Sequence, residues 1–336
     1  MEYKVLGKSN LSVSSIGFGG IPIQKTNAEE VKKLLIRCEE LGINFIDTAR
    51  GYTVSEEYLG YAMEGRRDKW IIATKSMARD KSSMLKDVEI SLNNLRTDYI
   101  DLFQLHNVKT EEEYSQVLSE EGAYNALIQM KEEGKIGHIG ITSHSLDILK
   151  IAIESGKFET IMYPYNIVEK QGEELFKRSK ELNIGVIAMK PMAGGALRDG
   201  SLALRFILNN ENITTAIPGM ATFEEIEENS SVGNKITPLT SEEEEKVLEI
   251  SKELGTEFCR RCGYCGPCPQ NIDIPSIFVL KAYKERYGLP EWAETRYASM
   301  KYRAKDCVAC KSCEKKCPYD LPIIKMLKEV RNCFNE

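Results

Sequence analysis

Eight of the ten cysteines in this 336-residue chain fall into two short runs in its last quarter. The later run is Cys307-Val-Ala-Cys310-Lys-Ser-Cys313-Glu-Lys-Lys-Cys317-Pro318, which has the spacing C-x2-C-x2-C-x3-C-P. That spacing is typical of bacterial [4Fe-4S] ligation, in which the first three thiolates hold one cluster and the fourth reaches another cluster. The later run therefore predicts that a second run exists.

The earlier run is Cys259-Arg-Arg-Cys262-Gly-Tyr-Cys265-Gly-Pro-Cys268-Pro269, with two residues instead of three before its Cys-Pro. The sequence therefore predicts two [4Fe-4S] clusters with eight cysteine ligands. Crossed ligation is favoured, although the shortened spacing leaves one run per cluster open. The favoured sets are Cys259, Cys262, Cys265 and Cys317 for one cluster, and Cys307, Cys310, Cys313 and Cys268 for the other.

Zinc and disulfides are the two alternatives for these cysteines. Structural zinc usually takes two C-x2-C pairs about 15–20 residues apart, whereas here four cysteines fall within one short run, twice. The start Met1-Glu-Tyr-Lys4 lacks the basic and apolar segments of a signal peptide, so we expect a cytoplasmic protein, where disulfides are rare. Cys38 lies in a helical pattern and is predicted to be core, and Cys333 has no assigned role.

Charge is distributed unevenly along the chain. Residues 259–336 contain 15 Lys and Arg against 9 Asp and Glu, a formal +6, whereas residues 1–258 contain 30 against 42, a formal −12. We do not expect nucleic-acid binding, because each oxidised cluster with four thiolates carries roughly −2 and offsets the basic residues. The basic residues instead favour an acidic electron-transfer partner, a ferredoxin or a flavodoxin. No apolar run approaches about 18 residues, so no membrane span is expected.

Strand-like and helix-like segments alternate eight times in the first 230 residues. This pattern predicts an α/β protein with a (β/α)8 TIM barrel, and a hairpin formed by Tyr3–Leu6 and Leu11–Ser14 would close its bottom. An open doubly wound sheet is disfavoured, because Gly17-Phe-Gly19-Gly20 is too short for a dinucleotide-binding turn. The predicted strands are Ser15–Phe18, Ile43–Ile46, Trp70–Thr74, Tyr99–Leu105, Ile136–Ile141, Thr160–Tyr163, Ile184–Met189 and Thr215–Pro218.

Beyond the eighth unit the pattern changes to helices and cysteines. Ser241–Leu254 predicts a charged helix, and Ile274–Lys305 predicts one or two helices broken at Gly288 and Pro290. We therefore predict a barrel in residues 1–240, a linking helix in 241–256, and a mainly helical, ferredoxin-like dicluster domain in 257–336.

Polar residues with complementary chemistry follow three neighbouring strands of the predicted barrel. Asp47, Lys75 and His106 stand at strand ends, and Tyr52 follows five residues after Asp47. Catalytic residues in such barrels come from the C-terminal ends of strands. A carbonyl that accepts hydride needs a proton, and a tyrosine with a reference pKa of about 10 donates one more readily beside an ammonium group. Tyr52 as acid, Lys75 paired with Asp47, and His106 orienting the substrate oxygen would meet this need.

These motifs resemble the aldo-keto reductase family. The resemblance is carried by Phe45-Ile-Asp47-Thr-Ala-Arg-Gly-Tyr52, Ile72-Ala-Thr-Lys75 and Asp101-Leu-Phe-Gln-Leu-His106, and it covers about residues 1–235. The remainder resembles the iron–sulfur branch of that family. The resemblance implies that Ser143 and Asn166 hold the nicotinamide carboxamide.

Differences from the family pattern indicate which form of the nucleotide this chain prefers. Met189 stands where an aromatic side chain often stacks on the nicotinamide. NADP-preferring members carry Lys where this chain has Gly219 and Arg where it has Glu225, so NAD(H) is favoured over NADP(H). Lys190 is a nearby cation that weakens this argument. Two further residues, Glu228 and Asn229, are predicted to contact adenine.

The predicted function is a nicotinamide-dependent reductase of a small aldehyde or ketone. Two alternatives stay open: a ferredoxin-linked reductase whose clusters feed the substrate site, and a nicotinamide-binding redox sensor whose clusters are structural. Because nicotinamide moves two electrons as hydride and a cluster moves one, coupling them would need an intermediary. A flavin is not excluded, although no flavin motif is evident.

Overall fold

The computed structural model describes residues 1–261 and 263–336, so Cys262 lies outside the described residues. The chain divides into two compact units. The barrel unit comprises Met1–Asn166, Lys170–Pro191 and Asp199–Leu239. The C-terminal unit comprises Thr240–Glu336 together with two short segments, Ile167–Glu169 and Met192–Arg198.

Eight parallel strands form the sheet of the barrel unit, each hydrogen-bonded to the next in chain order. The sheet closes on itself because Gly17 N donates to Ala216 O at 2.8 Å and Gly19 N donates to Pro218 O at 2.9 Å. The predicted (β/α)8 barrel is thus confirmed. Its strands are β3 (Phe18–Gly19), β4 (Phe45–Asp47), β5 (Ile71–Ser76), β6 (Ile100–Leu105), β7 (Ile136–Thr142), β8 (Thr160–Pro164), β9 (Gly185–Met189) and β10 (Thr215–Ala216).

Helices follow the strands, and all eight predicted ones are present. They are α1 (Ala28–Glu40), α2 (Ser55–Ala62), α3 (Lys81–Asn94), α5 (Ala123–Glu132), α6 (Leu146–Glu154), α7 (Glu173–Glu181), α8 (Gly200–Leu208) and α9 (Phe223–Asn234). One further helix, α4 (Glu111–Leu118), was not predicted. It is only two turns long, and it begins where the Thr110 side chain accepts from Glu113 N at 3.2 Å. Cys38 is fully buried in α1, as predicted.

The N-terminal hairpin covers the end of the barrel at which the strands begin. Strands β1 (Tyr3–Val5) and β2 (Ser12–Ser14) pair antiparallel. Leu6 and Val13 are fully buried and pack into the apolar cluster that fills the barrel interior. Lys8 N also donates to Asn183 O at 2.7 Å, just before β9 begins, so the hairpin contacts the N-terminal ends of the strands.

Side-chain alternation along the strands decides what faces the barrel interior. Phe45 of β4, Ala73 of β5 and Leu102 of β6 belong to the interior cluster. Because side chains alternate with a period of two, the residues two positions later point to the same side. Those residues are Asp47, Lys75 and Gln104, so the sequence itself directs polar groups inward at the C-terminal ends of three adjacent strands.

Helices dominate the C-terminal unit. They are α10 (Ser241–Gly255), α11 (Ile274–Glu285), α12 (Pro290–Ser299), α13 (Ser312–Lys316) and α14 (Ile323–Cys333). A capping box between Thr240 and Glu243 begins α10. Ile277, Leu327 and Val330 lie at the centre of the apolar core of this unit. Among the described helices, none has the length and apolar character that a membrane crossing requires.

Candidate active site and cluster ligands

Lys75 and Asp47 form a buried ion pair at the C-terminal ends of β5 and β4. Lys75 Nζ donates to Asp47 Oδ1 at 2.5 Å and to the Thr48 carbonyl at 2.8 Å. The two side chains are only 2% and 4% exposed. Gln104 Nε2 donates to the other carboxylate oxygen of Asp47 at 3.3 Å. Each charged group therefore has a partner, which is what makes its burial tolerable.

Burial pushes the pKa values of this pair towards each other. It raises the pKa of Asp47 and lowers that of Lys75, and their mutual attraction opposes both shifts. The pair has no net charge whichever of the two holds the shared proton. A positive charge on Lys75 is consequently available beside Tyr52 without a net charge being buried.

Tyr52 and His106 complete the predicted set of four. Lys75 Nζ lies 5.3 Å from the centroid of the Tyr52 ring. The His106 ring meets Tyr52 edge-on, with centroids 6.1 Å apart and planes at 85°. The structure thus brings together all four residues that the sequence selected, from β4, the loop after it, β5 and the end of β6.

His106 is held in its neutral form. Burial lowers the pKa of its imidazole well below 6.5, and the charges of Lys75, Arg79 and Lys190 lower it further. A neutral imidazole can donate one hydrogen bond but carries no surplus proton at pH 7. His106 Nδ1 and Gln104 Oε1 are both buried and lack a hydrogen-bond partner among the described residues. The site therefore offers polar atoms that a bound ligand can satisfy.

Arg79 fixes the backbone that carries His106. Its Nη2 atom donates to the carbonyls of His106 and Asn107 at 3.0 and 2.9 Å and to Glu113 Oε2 at 3.1 Å. The sequence analysis gave Arg79 no role. The only sequence feature that could have indicated its role was the run of acidic residues at the start of α4, and that helix was not predicted.

Glu56 is a second residue that the sequence analysis missed. Its carboxylate is 1% exposed and accepts from Thr74 Oγ1 at 2.8 Å, Ser91 Oγ at 2.7 Å and Arg50 Nη1 at 3.2 Å. Thr74 immediately precedes Lys75, so Glu56 anchors the end of β5 to α2 and α3. It lies just after the Phe45–Tyr52 motif that carries the family resemblance, and this nearness was the available signal.

The predicted nicotinamide contacts lie after β7, β8 and β9. Ser143 is fully buried, and its hydroxyl donates to the Val108 carbonyl at 2.5 Å. Asn166 Nδ2 donates to the Lys190 carbonyl at 3.0 Å, which joins the ends of β8 and β9. Met189 ends β9 and packs partly buried against the interior cluster. All of these residues occupy the same end of the barrel as the ion pair.

The predicted adenosine contacts lie at and after β10. A Cβ atom at Gly219 would lie only 2.6 Å from Pro22 Cγ, so this position is closed to side chains unless Pro22 moves. Glu225 Oε2 accepts from Ala221 N at 2.7 Å and from Thr222 N at 3.2 Å, so the carboxylate occupies the backbone donors that precede α9. Glu228 is exposed on α9, and Asn229 is 5% exposed.

The described cysteines of the two runs share one core. Cys265 and Cys313 are buried in the apolar core of the C-terminal unit, and Cys310 is exposed. Four others are partly buried against that core: Cys259, Cys268, Cys307 and Cys317. Among the described residues, no disulfide bond joins two cysteines. Within residues 1–261 and 263–336, no group of three or more histidine, cysteine or acidic side chains has the arrangement of a site for a single metal ion.

One contact links the two runs. Lys316 Nζ donates to the Gly266 carbonyl at 3.2 Å. This bond places the Lys316 ammonium at the turn between Cys265 and Cys268. Thiolate donors gathered around a shared core therefore fit iron–sulfur clusters, whose ligands are cysteine thiolates.

Comparison with known proteins agrees with this architecture. Residues 258–322 match the model of a 4Fe-4S dicluster domain. An uncharacterized oxidoreductase of Bacillus subtilis, YqkF, is 31% identical over 216 residues, which is 60% of this chain and 68% of YqkF. L-galactose dehydrogenase of Arabidopsis thaliana is 28% identical over 311 residues, which is 76% of this chain and 96% of that protein.

Solved structures give the same result for the barrel. The holo form of the aldo-keto reductase AKR11C1 from Bacillus halodurans matches with a TM-score of 0.66 and 28% identity, over 74% of this chain and 96% of that one. Residues 15–202 match the model of the aldo/keto reductase family, which is more than half of the chain. The protein therefore belongs to the aldo/keto reductase family and carries a 4Fe-4S dicluster domain at its C-terminal end.

Proposed function

We propose that this protein reduces a small aldehyde or ketone with hydride from a nicotinamide cofactor, and that Tyr52 is the general acid. The observation that carries this proposal is the buried Lys75–Asp47 pair lying 5.3 Å from the Tyr52 ring. A carbonyl that accepts hydride gains negative charge on oxygen, and this charge must be neutralised by a proton. Within the set of four residues, Tyr52 carries the hydroxyl that can donate this proton. Lys75 is the nearby cation that can stabilise the charge left on Tyr52.

The proton moves from the Tyr52 hydroxyl to the substrate oxygen and leaves a phenolate. The Lys75 ammonium has three N–H donors, and Asp47 and the Thr48 carbonyl use two of them. The third is left for another partner, and because the Tyr52 ring centroid lies 5.3 Å from Nζ, the positive charge can stabilise the phenolate in a region of low dielectric. Asp47 keeps Lys75 charged and in place, and Glu56 fixes the end of β5 through Thr74.

His106 orients the substrate oxygen and does not compete as the acid. Its lowered pKa keeps the imidazole neutral at pH 7, so it contributes a hydrogen bond and no proton. Arg79 fixes the backbone at His106, which keeps the ring facing Tyr52. The two side chains therefore define one position for the carbonyl oxygen.

A reduced nicotinamide, when bound, supplies the hydride. Ser143 and Asn166 hold its carboxamide, Met189 packs on its ring, and Lys190, Gly219, Glu228 and Asn229 contact the rest of the dinucleotide. We propose NAD(H) as the preferred form. The Glu225 carboxylate already occupies the amides before α9, and a 2′-phosphate of about −2 charge would meet it there. The lysine of NADP-preferring relatives would require Pro22 to move if it stood at position 219.

We further propose that the dicluster domain holds two [4Fe-4S] clusters by crossed ligation and transfers electrons. The Lys316–Gly266 contact supports the crossed sets, because it joins the neighbourhood of Cys317 to the earlier run. Six of the eight proposed ligands lie in one core or pack against it, and Cys310 is exposed. Cys262, the eighth, is assigned from its spacing in the sequence alone.

Substituting Tyr52 with Phe tests the proposed function. Tyr52→Phe should lower turnover at least about 100-fold, because one positioned general acid is removed, while nucleotide affinity stays the same. Oxidation of NADH is followed with a panel of aldehydes, ketones and aldoses, and binding is followed by nicotinamide fluorescence. The matched control is Tyr61→Phe, since the Tyr61 hydroxyl bonds to Glu29 on the outside of α2. Unchanged turnover in Tyr52→Phe, or no turnover of any carbonyl by the native protein, would contradict the proposal.

A further inference from the structure

The later cysteine run lies at the surface of the C-terminal unit. Cys310 is exposed, and Val308, two residues earlier, is 62% exposed even though it is apolar. Ala309 between them is also exposed. In this run only Cys313 is fully buried. A cluster held by Cys307, Cys310 and Cys313 would thus lie just beneath a small apolar surface.

Basic residues surround this apolar surface. Lys311, Lys315 and Lys316 are all exposed. Lys315 lies one helical turn from Lys311, since Lys315 N donates to Lys311 O at 3.1 Å. Among the described residues, no carboxylate forms an ion pair with any of these lysines. We call Val308, Ala309, Cys310, Lys311, Lys315 and Lys316 the docking patch.

The two acidic residues next to the docking patch are engaged with backbone amides. Asp306 Oδ2 accepts from Arg303 N at 2.7 Å, and Glu314 Oε1 accepts from Ile324 N at the start of α14 at 3.0 Å. Both carboxylates therefore cap backbone amides and are only partly exposed. Asp320 is exposed, but it lies beyond Cys317. The outward charge of the docking patch is consequently positive, although the whole chain has a formal charge of −6.

We propose that the docking patch binds a small acidic one-electron carrier protein. This inference rests on the proposed clusters of the dicluster domain, and it names the partner that would exchange electrons with them. A basic rim around an apolar centre is complementary to an acidic protein and speeds its association by electrostatic steering. The exposed Cys310 places a cluster ligand at the centre of the contact, which minimises the distance an electron must cross.

The size and chemistry of the docking patch favour a carrier protein over a nucleic acid. Transient electron-transfer complexes bury less than about 1,200 Å², and a patch of six residues is of that kind. A nucleic acid would require a longer basic stripe to follow its phosphates. During the exchange one electron leaves the carrier, which is oxidised by one unit, and enters the cluster, which is reduced by one unit. No bond or proton changes place.

Binding of an acidic ferredoxin to the cluster-loaded protein tests this proposal without turnover. The anaerobically purified protein is titrated by calorimetry with an acidic plant-type ferredoxin at low and at high salt. We expect binding that weakens as salt rises, and a loss of about tenfold or more in affinity for Lys311→Glu/Lys315→Glu. The control is Lys86→Glu/Lys177→Glu, which makes the same change in net charge on exposed positions of α3 and α7. This control should stay within about twofold of the native affinity.

Several results would overturn the proposal. Equal losses in the two double variants would mean that overall charge, and not the docking patch, attracts the ferredoxin. Absence of ferredoxin binding, or patch-dependent binding only to single-stranded DNA or anionic vesicles, would likewise reject it. Because binding is measured without a carbonyl substrate, a failure of the Tyr52 chemistry would leave this result unaffected, and the two proposals fail separately.

Discussion

The Lys75 ammonium lies 5.3 Å from the centre of the Tyr52 ring while it donates to Asp47 on its other side. One cation thus pairs with a buried carboxylate and lies close to a phenol ring. If the pair exists for stability alone, replacing both of its members should be harmless. If it exists for proton transfer, the same replacement should abolish turnover.

Replacing Lys75 separates these two roles. Lys75→Met leaves Asp47 buried without its cation, so we expect a loss of about 3–5 kcal/mol in the free energy of unfolding as well as a loss of turnover. Asp47→Asn/Lys75→Met removes both charges, and stability should recover largely while turnover stays at least about 100-fold below native. Urea unfolding and NADH oxidation give the two readouts. Recovery of turnover in the double variant would show that the ammonium is not needed for proton transfer.

Nucleotide preference should depend on the charge at position 225. The native protein should bind NADH more tightly than NADPH, and Glu225→Gln should narrow the difference by about tenfold, because it removes the carboxylate that would face the 2′-phosphate. Glutamine can still accept from Ala221 N and Thr222 N, so α9 should keep its cap. Glu224→Gln is the control, because Glu224 is an exposed acidic residue of the same helix outside the predicted nucleotide contacts. Equal or tighter binding of NADPH by the native protein, measured by fluorescence titration, would overturn the preference.

His106 should remain neutral in the folded protein at a pH where an unfolded histidine is protonated. The chain has three histidines, so each can be followed by NMR. We expect the His106 signals to stay constant from pH 8 down past its ordinary pKa of 6.5, because burial and three nearby cations lower the pKa. A His106 midpoint at or above 6.5 would contradict a neutral imidazole and reopen the choice of general acid.

The lowered pKa of His106 also predicts how the stability of the protein changes with pH. Below pH 6.5 His106 is protonated in the unfolded chain but stays neutral in the folded protein. The free energy of unfolding should therefore fall as pH decreases from 6.5 towards the lowered pKa. Above 6.5 both states are neutral and the effect vanishes. In His106→Gln the stability difference between pH 7.5 and pH 5.5 should be smaller than in the native protein, as measured by urea unfolding. An unchanged difference would show that His106 does not contribute.

Removing Cys310 should disturb one cluster while sparing the hydride reaction. Cys310→Ser should lower the iron content and change the EPR spectrum of the reduced protein, since serine is a poor substitute for a thiolate ligand. Carbonyl reduction by NADH should continue, because the proposed acid, its ion pair and the nucleotide contacts all lie in the barrel unit. Cys333→Ser, outside both runs, is the control and should keep its full iron.

Crossed ligation makes a further prediction for the same measurement. If Cys317 belongs to the cluster of the earlier run, Cys317→Ser and Cys265→Ser should change the same EPR signal, and Cys310→Ser should change the other. Matching spectra for Cys317→Ser and Cys310→Ser would instead indicate one run per cluster. Loss of turnover together with iron would favour the reductase in which the clusters feed the substrate site.

The sequence could place Asp47 and Lys75 side by side because strand geometry repeats, whereas His106 and Tyr52 were selected from their positions after a strand. Once Phe45, Ala73 and Leu102 are recognised as interior residues, a period of two brings Asp47, Lys75 and Gln104 to the same place. The roles of Glu56 and Arg79 could not be predicted, because they depend on contacts with elements distant in the chain. Thr74, Ser91 and Arg50 converge on one carboxylate only after α2, α3 and β5 have packed, and no local pattern encodes that convergence. The helix α4 was not predicted because the (β/α)8 pattern calls for one helix between β6 and β7, and α5 already fills that place.

The close approach of Pro22 to Gly219 limits how this barrel can change its nucleotide. Adding a side chain at residue 219 requires the Pro22 ring, at the start of the short helix Pro22–Lys25, to move, so a lysine there has a structural cost. Position 225 lacks that barrier, since its side chain already extends to the start of α9. A variant that evolves or is engineered to prefer NADP(H) should therefore change residue 225 before residue 219.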